Sequence, residues 1–197
     1  MFERKFHPWE TAALLALCLT LLWGAWAGAR QRRLAAGLLR LHVIAVSDEA
    51  DEQALKLRVR DAVLDYLRPR LAEASNPAEA RAILEGELEG VAAAAEQAAR
   101  GRPVTVTLGP EDYPARSYGG FTLPAGRYES LRVSLGEGQG HNWWCVVFPT
   151  LCLDAARPEE LRQTLSPEDY ALVTRAEGWE LRFWLVECWG ELVTALR

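Results

Sequence analysis

A chain of 197 residues, half of them apolar, has enough material for one domain with a sizeable core plus a terminal segment. Its 27 acidic and 22 basic residues leave a net charge of −5. No basic stripe is present, which argues against nucleic acid as the main partner, because phosphate contacts draw on clustered Lys and Arg. The 4 cysteines, at positions 18, 145, 152 and 188, are too few for a disulfide scaffold and form none of the CxxC pairs of a structural zinc site.

Thr11 to Ala27 is an uncharged run rich in Leu, Ala and Trp, preceded by Arg4 and Lys5 and followed by Arg30, Arg32 and Arg33. Its length lies between the apolar core of a signal peptide and the roughly 20 residues of a spanning helix. Ala25-Trp26-Ala27 supplies a small-x-small cleavage pattern before Gly28, which favours export. The arginines beyond it pull toward the opposite orientation through the positive-inside rule. Cys18 sits in mid-segment behind the bulky Leu17, so it reads as a small apolar residue rather than a lipidation site. Residues 1–33 are therefore a signal peptide or membrane anchor with a basic flank, and 34–197 an exported domain.

Within that domain, Leu38 to Val46 reads as a strand, with Leu39, Leu41, Val43 and Ala45 on one face and Arg40, His42 and Ile44 on the other. Ser47 and Asp48 end it, and Glu49, Asp51 and Glu52 put negative charge at the start of a helix, where the macrodipole favours it. Leu55, Val59, Val63 and Leu67 give that helix its apolar stripe, and Pro69 is expected to bend or end it. Asn76-Pro77 opens a second helix running to Arg100 and closed by Gly101. Val104 to Leu108, Tyr128 to Leu135 and Trp143 to Phe148 then alternate as three strands expected to pair antiparallel. The Pro-, Gly- and Tyr-rich stretch from Gly109 to Arg127 is expected to be a functional loop. Ser166-Pro167 starts a short helix, and Leu181 to Leu196 supplies a last amphipathic one. The expected architecture is α+β: a single domain with a mainly antiparallel sheet packed by helices, after an N-terminal apolar helix.

The densest chemistry lies in Gly136 to Cys152, GEGQGHNWWCVVFPTLC. Three glycines in five residues are costly to order unless the backbone must bend or approach something closely. His141 and Cys145 are candidates for a thiol nucleophile and its base, but on a straight strand they stand about 13 Å apart. His42 is the alternative base, provided that its strand neighbours that of Cys145. Cys145 is otherwise a packed thiol or one half of a disulfide with Cys152, on either side of Pro149. Metal binding by His42, His141 and Cys145 has no recognised ligand spacing to support it, and no cofactor is implied. Gly136-x-Gly138-x-Gly140 lacks the following helix that a phosphate cradle needs. The acidic run from Asp48 to Glu52 lacks the glycine and spaced ligands of a calcium loop. The aromatic and arginine side chains of Tyr118, Arg127, Trp143 and Trp144 have the composition of a recognition surface.

Four motifs, RLHVIAVSD (40–48), DEQALKLRVRDAVLDYL (51–67), SYGGFTLPAGRY (117–128) and GEGQGHNWWCVVFPTLC (136–152), together resemble the stage II sporulation protein R family. The resemblance covers nearly all of the exported domain and departs from the family at Val46, where Asn is common. It implies a signalling protein rather than an enzyme, secreted from the forespore into the intermembrane space. Its partner there would be a membrane-embedded aspartic protease that removes the pro-sequence of sigma-E. The family brings no settled catalytic residue. His141, Trp143, Trp144, Tyr118 and Arg127 stand as candidate partner-binding positions and His42 as a candidate contact or scaffold position. The N-terminal segment would add a membrane contact if it stays uncleaved.

Overall fold

The computed structural model describes residues 7–118, 121–149 and 165–174. The expected last helix, Cys152 and Cys188 lie outside these residues. Helix α1 spans Pro8–Ala36, opened by Pro8 and by a Glu10 carboxylate that accepts from the His7 N–H at 2.8 Å. It runs unbroken through the Ala25-Trp26-Ala27 pattern and the arginines. Every exposed large apolar side chain among the described residues lies on this helix, from Trp9 to Trp26. Only its last turn is buried, through Leu34 and Ala35. α1 is thus long and apolar enough to cross a membrane, and none of its most apolar window is buried among the described residues.

Strand β1 (Leu39–Ile44) is buried at all six positions. Helix α2 (Ala50–Leu71) follows, with Asp51 and Glu52 in its first turn and Arg68 and Arg70 in its last, each opposing the local dipole. Leu55, Val59, Val63, Leu67 and Leu71 recur every four residues and are all buried. Each contributes about 1.5–3 kcal/mol of transfer free energy, taken as an upper bound. Pro69 does not end the helix, which continues to Leu71. A single missing N–H in the last turn is tolerated because few hydrogen bonds remain beyond it.

The single helix expected from Asn76 to Arg100 is instead two, α3 (Pro77–Gly86) and α4 (Leu88–Ala98). The Asn76 side chain caps α3 by accepting from Glu79 N–H at 3.0 Å. The break at Glu87 is held by its carboxylate, which pairs with Arg70 Nε at 3.0 Å and accepts from the Tyr66 hydroxyl. Gly90 then lets α4 lie against Tyr66: a Cβ there would fall 1.7 Å from the Tyr66 hydroxyl oxygen.

Strands β2 (Val104–Tyr113), β5 (Gly126–Leu135) and β6 (Asn142–Phe148) join β1 in one sheet of order β2-β5-β1-β6. β2 pairs antiparallel with β5 as expected, but β5 and β6 are not neighbours. β1 lies between them, parallel to β5 and antiparallel to β6. A first strand rich in Leu, Val and Ile takes the centre, where both faces are covered. Most of the described residues from Gly109 to Arg127 are also strand rather than loop. Gly109 to Tyr113 extend β2 against Ser130 to Gly126, and β3 (Arg116–Tyr118) with β4 (Phe121–Leu123) forms a small second sheet. Pro110 is accommodated because β2 is an edge strand.

Two apolar layers result. On one face, Leu39, Leu41, Val43, Leu131, Val133, Cys145 and Val147 pack against α2, α3 and α4. On the other, Leu34 and Leu38 join Tyr113, Phe121, Leu123, Tyr128, Val146 and Val173, the last from helix α5 (Pro167–Thr174). α5 lies where Ser166-Pro167 marks a helix start. The chain is an α+β domain behind an apolar N-terminal helix, as its periodicity indicates.

Candidate functional site

On β1 the two polar side chains Arg40 and His42 alternate with aliphatic ones, so both point away from the helical layer. Arg40 is fully buried. Its guanidinium stacks over Tyr113 at 3.9 Å and Tyr128 at 4.9 Å from the ring centroids, and Nη2 donates to the Tyr118 hydroxyl. Tyr113 exchanges a hydrogen bond with Ser130 at 2.6 Å, and Tyr128 donates to the Pro124 carbonyl at 2.6 Å. Burial pushes the Tyr128 phenol up to about 12, and raises those of Tyr113 and Tyr118 as well, against the pull of Arg40.

Two residues on, His42 is held at both ring nitrogens. Nδ1 lies 2.8 Å from Glu111 Oε1 on β2, and Nε2 lies 2.9 Å from Asn142 Oδ1 on β6. Both oxygens accept, so the ring satisfies both only with a proton on each nitrogen, or with the Asn142 amide turned to present its NH₂. Glu111 also faces Arg132 at 3.7 Å. Trp144, the register partner of His42, lies 5.5 Å from the imidazole by centroids and carries the Arg116 guanidinium 4.0 Å over its own ring. Arg116, Arg132 and Asn142 are exposed, while Trp144 and Glu111 are half-buried. The result is one continuous patch of alternating charge around an aromatic ring.

The expected thiol site does not assemble around this histidine. β1 and β6 are neighbours, as the His42 reading required. Cys145, however, is opposite Leu41 and buried in the helical layer, whereas His42 is opposite Trp144 on the other face. The sheet backbone separates thiol from imidazole. Nor does His141 reach the thiol: its exposed Nδ1 lies 2.5 Å from Asp48 Oδ1, and Cys145 Sγ is 3.3 Å from the Val146 carbonyl. The disulfide reading involves Cys152 and falls outside the described residues. Among the described residues no three His, Cys, Asp or Glu side chains gather as a metal site.

The candidate recognition residues are likewise divided. Trp143 faces α2, with Arg60 4.4 Å over its ring, so the adjacent tryptophans serve opposite faces. Tyr118 belongs to the Arg40 cage, and Arg127 is exposed at the start of β5. The glycine run docks onto the turn after β1. Gly140 N–H donates to Ala45 O at 2.9 Å, His141 N–H to Asp48 Oδ1 at 2.6 Å, and Lys56 Nζ to His141 O at 2.9 Å. A Cβ on Gly140 would stand 2.4 Å from Ser47 O, so close backbone approach explains that glycine. Arg40, Glu111, Arg116, Arg132 and Asn142 were not singled out from the sequence. The signal available was two polar residues at i and i+2 inside an otherwise aliphatic strand.

A sequence model of the stage II sporulation protein R family matches residues 35–157, from the last turn of α1 past the end of β6. The chain belongs to the stage II sporulation protein R family. Over 130 residues it is 34% identical to "Stage II sporulation protein R" of Bacillus subtilis (strain 168), an alignment covering 64% of this chain and 58% of that relative. No solved structure matches. The family assignment carries a role in sporulation, and the matched region contains both the Arg40 cage and the His42 patch. The apolar part of α1 lies outside it, as a helix long and apolar enough to cross a membrane and compatible with a signal peptide or an anchor.

Proposed function

We propose that this family member is an exported, non-enzymatic signal: it leaves the forespore and activates a membrane-embedded aspartic protease across the intermembrane space, leading to pro-sigma-E processing in the mother cell. The observation that carries this reading is the His42 patch. Both imidazole nitrogens are engaged by Glu111 and Asn142, and the buried Cys145 thiol is on the far side of the sheet. A face with no poised nucleophile among the described residues, but with the Arg116 guanidinium over Trp144 and an exposed Arg132 beside Glu111, is suited to binding. Its contact with the receptor would favour the active protease by differential affinity for that state. Family membership and the uncovered apolar helix support export.

The test is pro-sigma-E processing at matched levels of secreted protein. Arg116→Glu and Trp144→Ala should abolish processing, whereas Cys145→Ser and His141→Ala should retain it. Arg116 is exposed, so its variant reports on contact rather than folding. Loss of processing in Cys145→Ser with normal secretion, alongside full activity of Arg116→Glu, would replace the signal with a thiol hydrolase.

A further inference from the structure

A cavity of about 360 Å³ lies at the foot of α1, between its last turns, the first turn of α3 and the β2–β5 pair. Arginines from three elements line it: Arg32 of α1, Arg81 of α3 and Arg127 of β5. Arg81 is already answered by Glu85 and Glu129. Arg32 and Arg127 have no ion pair among the described residues. Much of the remaining wall is apolar, and Pro77 at the rim marks the N-terminus of α3, whose dipole adds to the positive potential.

The position of this cavity relative to the apolar part of α1 bears on its occupant. The exposed apolar side chains of α1 end at Trp26. Arg32 is six residues further, about 9 Å along the axis at the helical rise. Its side chain leans back by a turn, with Nη1 3.5 Å from where a Cβ on Gly28 would stand. With the apolar part of α1 in a bilayer, that guanidinium falls within the headgroup layer, which is roughly 5–7 Å deep on each side of the hydrocarbon. We infer that this cavity binds the phosphate of an anionic phospholipid headgroup, with Arg32 and Arg127 as its charged contacts and the apolar wall facing the glycerol and first acyl carbons. The domain would then be seated on the membrane in one orientation by its own folded surface, in addition to any hold from α1.

The experiment presents the full chain in neutral detergent with equal amounts of phosphatidylglycerol and phosphatidylcholine, and reads retained lipid by native mass spectrometry. Preferential retention of phosphatidylglycerol is expected. Arg127→Gln and Arg32→Gln should each reduce that preference about fivefold. Arg127→Lys should restore most of it, and Arg33→Gln, outside the cavity wall, should leave it unchanged. Thermal unfolding of each variant in the same detergent separates loss of lipid from loss of fold. No preference in the wild-type chain would overturn the site, as would equal losses from Arg33→Gln and Arg127→Gln, which indicate diffuse interfacial charge. Inorganic phosphate displacing the lipid at equal concentration would make it a free-anion site instead. Lipid retention is read on the isolated chain, so its failure leaves the signalling reading untouched.

Discussion

The Arg40 guanidinium lies 3.9 Å above the ring of Tyr113, inside an apolar layer formed by Leu34, Leu38, Phe121, Leu123 and Val146. A fully buried cation without a carboxylate partner among the described residues is costly to desolvate. Three tyrosine faces and the Tyr118 hydroxyl compensate in part, yet Nε and Nη1 still lack partners. Arg40 thereby ties β1 to β2, β3 and β5 at once, and holds the β3–β4 pair beside the His42 patch.

Removing that tie has a side chain-specific cost. Arg40→Ala should lower stability by about 3 kcal/mol, through the void and the lost ring contacts. Arg40→Met keeps most of the volume and relieves the buried charge, so it should cost less than half as much. Denaturant unfolding of the full chain in detergent measures both. Equal costs would mean that packing volume is not what Arg40 supplies.

The same cage makes the fold sensitive to alkali. Tyr128 ionises at about 12 in the folded chain, above the unfolded value of about 10, and Tyr113 and Tyr118 are raised in the same direction by burial. Above pH 10 the unfolded chain binds fewer protons than the folded one, so this contribution is complete below about pH 10 and is lost as pH rises toward 12. Phenolate absorbance should develop together with unfolding across that window. Ionisation of all five tyrosines near pH 10 in a still-folded chain would contradict it.

Two glycines should behave oppositely. Gly140→Ala forces a Cβ to within 2.6 Å of the Ser47 carbonyl carbon, and backbone cannot move aside as a side chain tip can. A loss of about 2 kcal/mol or more is expected, with the glycine run released from the β1–α2 turn. At Gly86 a Cβ meets nothing within 4 Å, so Gly86→Ala should be neutral or slightly stabilising. Thermal unfolding, combined with amide exchange at Gly140 and His141, compares the pair.

Helix α1 should divide at its last turns. Leu34 is 1% exposed and belongs to the second core layer, so Leu34→Ala should cost about 2–5 kcal/mol. Leu19 is 67% exposed, and Leu19→Asp should leave domain stability within about 0.5 kcal/mol while weakening membrane partition. Unfolding in detergent and flotation with vesicles give the two readings. A large stability loss from Leu19→Asp would mean that the apolar stretch packs on the domain.

Period-two alternation assigns Leu41 and His42 to opposite faces of β1 whatever surrounds the strand, and i,i+4 spacing gives α2 its buried stripe from Leu55 to Leu67. The uncharged run and its flanking arginines likewise mark α1. These are local consequences of backbone geometry, carried by neighbouring residues. The break at Gly86–Glu87 has a remote cause: Tyr66 and Arg70 on α2 hold the Glu87 carboxylate, and Tyr66 occupies the space over Gly90. Gly109 to Tyr113 carry turn residues, yet become strand because β5 offers them a register.

Which strands become neighbours depends on contacts many residues apart, and here folding decides the site. Placing β1 between β5 and β6 brings His42 to Trp144, Asn142 and Glu111, and puts Cys145 beyond the sheet. The local pattern already required Trp143 and Trp144 to diverge, but not which one would meet a charged patch and which the helices. The crowded glycine, histidine and cysteine segment therefore contributes to two surfaces rather than one. Local periodicity determines each residue's face; the long-range pairing that buries the most apolar area determines what that face meets.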